Sequence, residues 1–128
     1  VTRKLVSSGS YLEPEIGFSR AVRIGNQISV SGTAPIAPNG GTDGIGDLYR
    51  QTVACLEIID KALAEAGASR GDIIRTRIML TDISRWKEAA KAHGEFFSEV
   101  RPACSFIGVA RFIDPDWLVE VEADAVTG

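Results

Sequence analysis

From Leu118 onward the side chains alternate. Val119, Val121 and Ala123 lie on one side of an extended chain and Glu120, Glu122 and Asp124 on the other. The apolar side requires a core, and the other side aligns three carboxylates. The stretch before it, Arg101–Pro102–Ala103–Cys104–Ser105–Phe106–Ile107–Gly108–Val109–Ala110–Arg111, reads as a second strand reached through a Phe-Ile-Asp-Pro-Asp-Trp corner. There Cys104, Phe106, Gly108 and Ala110 oppose Ser105, Ile107 and Val109, so both faces are apolar or small. Such a strand needs cover on both sides.

Upstream, residues 3–7 form a short strand ended by Ser-Ser-Gly-Ser, and Glu13-Pro14-Glu15 reads as a loop. Residues 18–32 read as a hairpin turning at Gly25-Asn26, with Phe18, Arg20, Val22 and Ile24 on one face. The Pro-, Gly- and Asn-rich residues 34–46 are a surface loop. Asp47 caps a helix whose stripe is Thr52, Leu56, Ile59, Leu63 and Ala66, reinforced by Cys55 and Ala62, and Gly67 stops it. Residues 72–80 return to period two. A second helix, capped by Asp82 or Ser84, carries Trp86, Ala89, Ala90, His93, Phe96, Phe97 and Val100 on its apolar stripe, and Pro102 ends it.

The order β, ββ, α, β, α, β, β in 128 residues specifies one α+β domain, residues 1–128, without repeats or linkers. Two amphipathic helices cover one face of a sheet. The 103–111 strand asks for cover on the other as well, so the expectation is a closed homo-oligomer with sheets facing one another. No apolar run approaches the ~18 residues of a membrane span, and no basic region followed by an apolar core marks a secretory signal. Two cysteines, Cys55 and Cys104, are too few for a disulfide framework, which points to a reducing, cytoplasmic setting. A net charge of −3 with no Lys/Arg run argues against a nucleic acid partner. Small molecules and self-association remain.

No phosphate loop and no metal-spaced His or Cys set is present, so neither metal nor cofactor is expected. His93, on an apolar stripe, reads as a packed core or interface residue rather than a base. Cys104 reads as a small packed residue, since no His or Lys is close in sequence to activate it. Clustered carboxylates raise one another's pKa, which can poise one for acid–base work. A solvated face is the better reading for Glu122 and Asp124. Glu120, nearest the strand's middle, stands open between the two. Arg20 and Arg101 are candidate anion clamps; for Arg101 a helix-end position favourable to the dipole is an equal reading.

Ile16-Gly17-Phe18-Ser19-Arg20-Ala21-Val22, Val30-Ser31-Gly32-Thr33-Ala34-Pro35, Gln51-Thr52 with Leu56, Gly71-Asp72-Ile73, Phe96-Phe97, and Arg101-Pro102-Ala103 through Val119-Glu120-Val121-Glu122 resemble the RidA/YjgF/UK114 family in order and spacing. The resemblance spans nearly the whole chain. It implies a chorismate-mutase-like α+β fold, with a mixed β-sheet and two helices on one face. It also implies a homotrimer with ligand clefts between subunits. Characterised deaminases of that family hydrolyse enamines and imines such as 2-aminoacrylate to a 2-oxo acid and ammonia, without cofactor. The resemblance places their water-positioning Glu at Glu120 and their Ser-Gly pocket wall at Ser31 and Gly32. Where they carry a carboxylate-binding Arg this chain has Cys104, and where they carry a Tyr it has Phe18. Arg20 beside Phe18, or Arg101 from the helix end, is then the replacement cation to test.

The resemblance therefore implies an imine or enamine hydrolase, acting on a substrate other than the smallest imino acids, such as one resembling 2-aminomuconate. A non-catalytic trimer that binds a small metabolite between subunits is the second reading. Ribonuclease activity, attached to the family by name, ranks last because a basic stripe is missing.

Overall fold

The computed structural model describes residues 2–128. Six strands form one mixed sheet in the order β1-β2-β3-β6-β4-β5: β1 Arg3–Val6, β2 Ala21–Ile24, β3 Gln27–Thr33, β4 Ile73–Leu80, β5 Ala103–Gly108 and β6 Val119–Val126. Only β4 and β5 pair in parallel, and the chain between them holds a helix. The 118–126 alternation lands at the centre of this sheet. Val119, Val121, Ala123 and Ala125 are all buried, and β6 is flanked by β3 and β4.

The helices are α1 Leu12–Ile16, α2 Leu48–Glu65 and α3 Trp86–Phe97. α2 begins where Asp47 accepts a hydrogen bond from the Arg50 amide at 2.9 Å, and Gly67, at φ 82°, turns the chain just beyond its end. Its predicted stripe is its buried stripe: Thr52, Cys55, Leu56, Ile59, Ala62, Leu63 and Ala66 all pack inward. Together with Ala89 and Phe97 of α3, these residues seal one face of the sheet over Val30, Ile78, Leu80 and Val121. The α+β architecture with both long helices on one face is as the alternation requires.

Four local expectations are corrected. The segment around Pro14 is the short helix α1 rather than a loop, closed by Gly17 at φ 87°. The hairpin keeps its Gly25-Asn26 turn, but its first strand starts at Ala21, because residues 17–20 are irregular. α3 stops at Phe97, well before Pro102: the Val100 and Arg101 amides both close onto the Phe97 carbonyl, and Arg101 takes φ 51°. β5 ends at Gly108 and is an edge strand, exposed along most of its length, so within one chain it lacks the two-sided cover its composition asks for.

Candidate active site

On β6 the acidic residues point away from the helices, and their surroundings separate them. Arg77 of β4 stands opposite Glu122 in register and donates from Nη1 to its Oε1 at 2.8 Å; the same nitrogen lies 3.8 Å from Asp124 Oδ2. Ser29 of β3 donates to Asp124 Oδ1 at 3.2 Å. These two carboxylates are thus held by neighbours on adjoining strands. Glu120 faces Met79, which offers no charge, and accepts no hydrogen bond from a described residue. Burial pushes its carboxyl above the usual glutamate value of 4.5; Arg20 opposes the shift and Glu122 adds to it. A half-buried carboxylate with unoccupied acceptors is suited to holding and deprotonating a water.

The backbone beside Glu120 is shaped for it. The β3–β6 register shifts between Val30 and Thr33, and Gly32 sits in that irregularity. A Cβ at Gly32 would lie 2.8 Å from Glu120 Oε1, so only glycine leaves the carboxylate where it is. Arg20 pins the same turn of backbone: Nη1 donates to the Gly32 carbonyl at 2.7 Å and to Thr33 Oγ1 at 3.1 Å. Ser31 ties it further: its amide donates to the Arg20 carbonyl at 2.9 Å and its Oγ–H donates to the Ser19 carbonyl at 2.6 Å. The Phe18 ring lies 5.4 Å from the Arg20 guanidinium carbon.

Arg20 is 5% exposed, and burial lowers its pKa against the opposing fields of Glu13 and Glu120. Sequence reasoning missed Glu13, a buried acid. Desolvation would raise its pKa, but hydrogen bonds from the Ser8 amide at 3.1 Å, Ser8 Oγ at 2.8 Å and the Ser10 amide at 3.3 Å hold it below the ordinary value. Thr33 was missed as well. A short acidic segment around a proline looks like any surface turn, so the sequence carries no signal for this buried pair. Cys55 of α2 lies in the field of both Glu120 and Arg20, and full burial drives its thiol pKa well up, leaving it unreactive.

Phe18, Arg20, Ser31, Gly32 and Glu120 therefore form one connected group. Arg101 and Cys104 do not join it. Arg101 is exposed in the segment between α3 and β5, with no side-chain hydrogen bond to a described residue. Cys104, also exposed, pairs with Thr76, whose side chain is buried toward the helices; Glu120 projects from the opposite side of the sheet. Within one chain the two cannot line the same pocket. Among the described residues no group of three or more His, Cys, Asp or Glu side chains is arranged to hold a metal ion.

Residues 9–127 match the family model described as Endoribonuclease L-PSP. The 3-aminoacrylate deaminase RutC of Acinetobacter baylyi is 33% identical over 114 residues, 88% of each chain. Rv2704 of Mycobacterium tuberculosis, a member of the YjgF/YER057c/UK114 family, is 45% identical with a TM-score of 0.89, the match covering 98% of this chain and all of that one. Escherichia coli TdcF, solved with bound serine, is 28% identical with a TM-score of 0.79 over 97% of this chain and 93% of its own.

Proposed function

Because this chain belongs to the endoribonuclease L-PSP family, the RidA/YjgF group, we propose that it is a deaminase that hydrolyses a reactive enamine or imine to a carbonyl product and ammonia. The observation that carries the reading is the state of Glu120: the one acid on its strand face left without a protein partner, half-buried, and raised in pKa by that burial. The names of the RutC and TdcF relatives support the reaction class.

In this reading Glu120 accepts a proton from water as the oxygen adds to the C=N carbon. The carbon–nitrogen π electrons go to nitrogen, which takes up a proton, giving a carbinolamine. Collapse of that intermediate forms the C=O bond as the C–N bond breaks, the hydroxyl proton passing to nitrogen so that ammonia leaves. An enamine enters the same path after protonation at carbon. The sum is imine plus water to ketone plus ammonia, with no redox change and no cofactor required. Gly32 and Arg20 serve by keeping the carboxylate in place. In this reading the substrate is other than the smallest imino acids, since Arg77, the cation set beside the acids of β6 on the Glu120 face, is already held by Glu122 and Asp124.

The same proposal includes a homotrimer with the ligand between subunits. It is supported by the helix-free face that carries Glu120 and by the uncovered β5, where Ile107 is 40% exposed. Ammonia release from enzymatically generated 2-imino acids and from 2-aminomuconate, with Glu120→Gln as control, tests the chemistry; sedimentation tests the assembly. Acceleration lost in the control supports the deaminase. No acceleration on either substrate favours the second reading, a trimer that binds a metabolite without turning it over. The placement of Arg101 and Cys104 away from Glu120 is what favours that second reading. A net charge of −3 disfavours ribonuclease action.

A further inference from the structure

A cleft of about 620 Å³ opens on the helix side of the molecule, between the Ser7–Tyr11 segment, the loop after β3 and the outer face of α2. Its size is that of a small-molecule site, and Glu120 does not line it. The apolar part of its walls is Val6, Ala34, Ile36, Ala37, Ala54 and Ile58.

Arg20 also lines this space, although it is 5% exposed. Three of its donor contacts are accounted for: Nε to Ser8 Oγ at 3.4 Å, and Nη1 to the Gly32 carbonyl at 2.7 Å and Thr33 Oγ1 at 3.1 Å. Nη2 donates to no described residue. Since no enclosed side-chain nitrogen among the described residues lacks a partner, Nη2 is not fully enclosed, and the residue that carries it lines this cleft. A charge-assisted hydrogen bond from a buried guanidinium is worth more than one in water, and it selects an acceptor with negative charge.

The other charges of the cleft lie outward. Arg50 is occupied by Asp43 at 2.9 Å and Glu57 at 3.1 Å, so it has no charge to spare for a ligand and the trio keeps a net negative charge. Lys61 and Glu65 are exposed on α2, and neither forms an ion pair with a described residue. A ligand fitting this arrangement places an anionic head at Arg20 and an apolar body against Ile36, Ala37 and Ile58.

We propose that this cleft is a second binding site, for a small monocarboxylate with an apolar body, anchored by the free Nη2 of Arg20. The full chain, labelled at Ile and Ala methyls, is titrated with hexanoate and, in parallel, with hexanamide as its uncharged counterpart. Saturable shifts at Ile36, Ala37 and Ile58 with hexanoate, at least about tenfold weaker with hexanamide, are expected. They should vanish in Ile58→Trp, which fills the cleft from a half-exposed position; Ala34→Leu, judged by the unchanged spectrum of β6, serves if the first variant does not fold. Shifts that never saturate overturn the proposal, as does equal response to hexanamide. A response confined to Ile107, which shares the Glu120 face of the sheet because Met79 is the register partner of both, also overturns it, since that places the anion on the Glu120 side instead.

Discussion

Replacing Gly32 by Ala separates the position of Glu120 from its presence. Gly32 has no positive φ, so alanine is admissible in its backbone conformation, and the strain is confined to one contact. The new methyl would lie 2.8 Å from Glu120 Oε1, and restoring an ordinary 3.4 Å requires the carboxylate to retreat by about 0.6 Å. The atom that must yield is the far end of a flexible side chain. Its displacement costs roughly 0.5–1.5 kcal/mol if the side chain is pushed off its rotamer, which lowers the melting temperature by a few degrees at most. The effect on a proton transfer is larger, since a misplacement of about 1 Å costs on the order of a hundredfold in rate. The expected outcome is a folded protein with kcat for imine hydrolysis down about ten- to a hundredfold. Ammonia release and thermal melts on the same preparations measure the two effects. Full activity in Gly32→Ala would refute the claim that the carboxylate's position matters, and so would a loss of activity explained by unfolding.

If Glu120 acts as the base, kcat/KM falls as pH drops through its raised pKa, so the acid limb lies above the ordinary 4.5 and disappears in Glu120→Gln; a limb at or below 4.5 would count against it. His93, bonded to Thr76 Oγ1 at 2.8 Å, has its pKa lowered by burial. The unfolded chain binds that proton first, so the neutral ring's contribution is whole above about 6.5 and declines as pH falls from there toward the folded value. Urea midpoints for the parent should therefore drop between pH 7 and 5 more than those for His93→Gln, and parallel curves would contradict this. Asp47→Ala removes the α2 cap and should cost about 1 kcal/mol, read as a shifted urea midpoint with an unchanged slope.

The elements that were legible in the sequence are those whose cause is local. α2 shows its cap at Asp47, its stripe from Thr52 to Ala66 and its stop at Gly67, and the alternation of β6 places its three acids on one face whatever the strand pairs with. What was not legible depends on partners distant in the chain. Alternation groups Arg20 with Val22 and Ile24, yet regular structure begins only at Ala21, and Arg20 turns to the Gly32 carbonyl twelve residues on. Glu13 looks like a loop acid until its carboxylate is seen receiving the Ser8 and Ser10 amides. Likewise, three acids that look equivalent in the sequence are separated by register alone: β4 sets Arg77 against Glu122 and Met79 against Glu120. The one acid left free is the one that chemistry can use.

The apolar character of β5 has a related explanation. Its composition calls for cover on two sides, and the chain supplies only an edge position with Phe106 packed toward Trp86, ring centroids 6.2 Å apart. The parallel pairing with β4 fixes Cys104 on the helix side while β6 fixes Glu120 on the other. A pocket that used both would have to take them from different copies of the chain, with the outer edge of one sheet lying against the open face of another. Under the proposed trimer, the excess apolar character of β5 and the separation of Cys104 from Glu120 thus have one cause. The strand is made for a surface that a single chain does not contain, so a change such as Ile107→Glu should dissociate the assembly and abolish turnover while leaving the fold of the single chain intact.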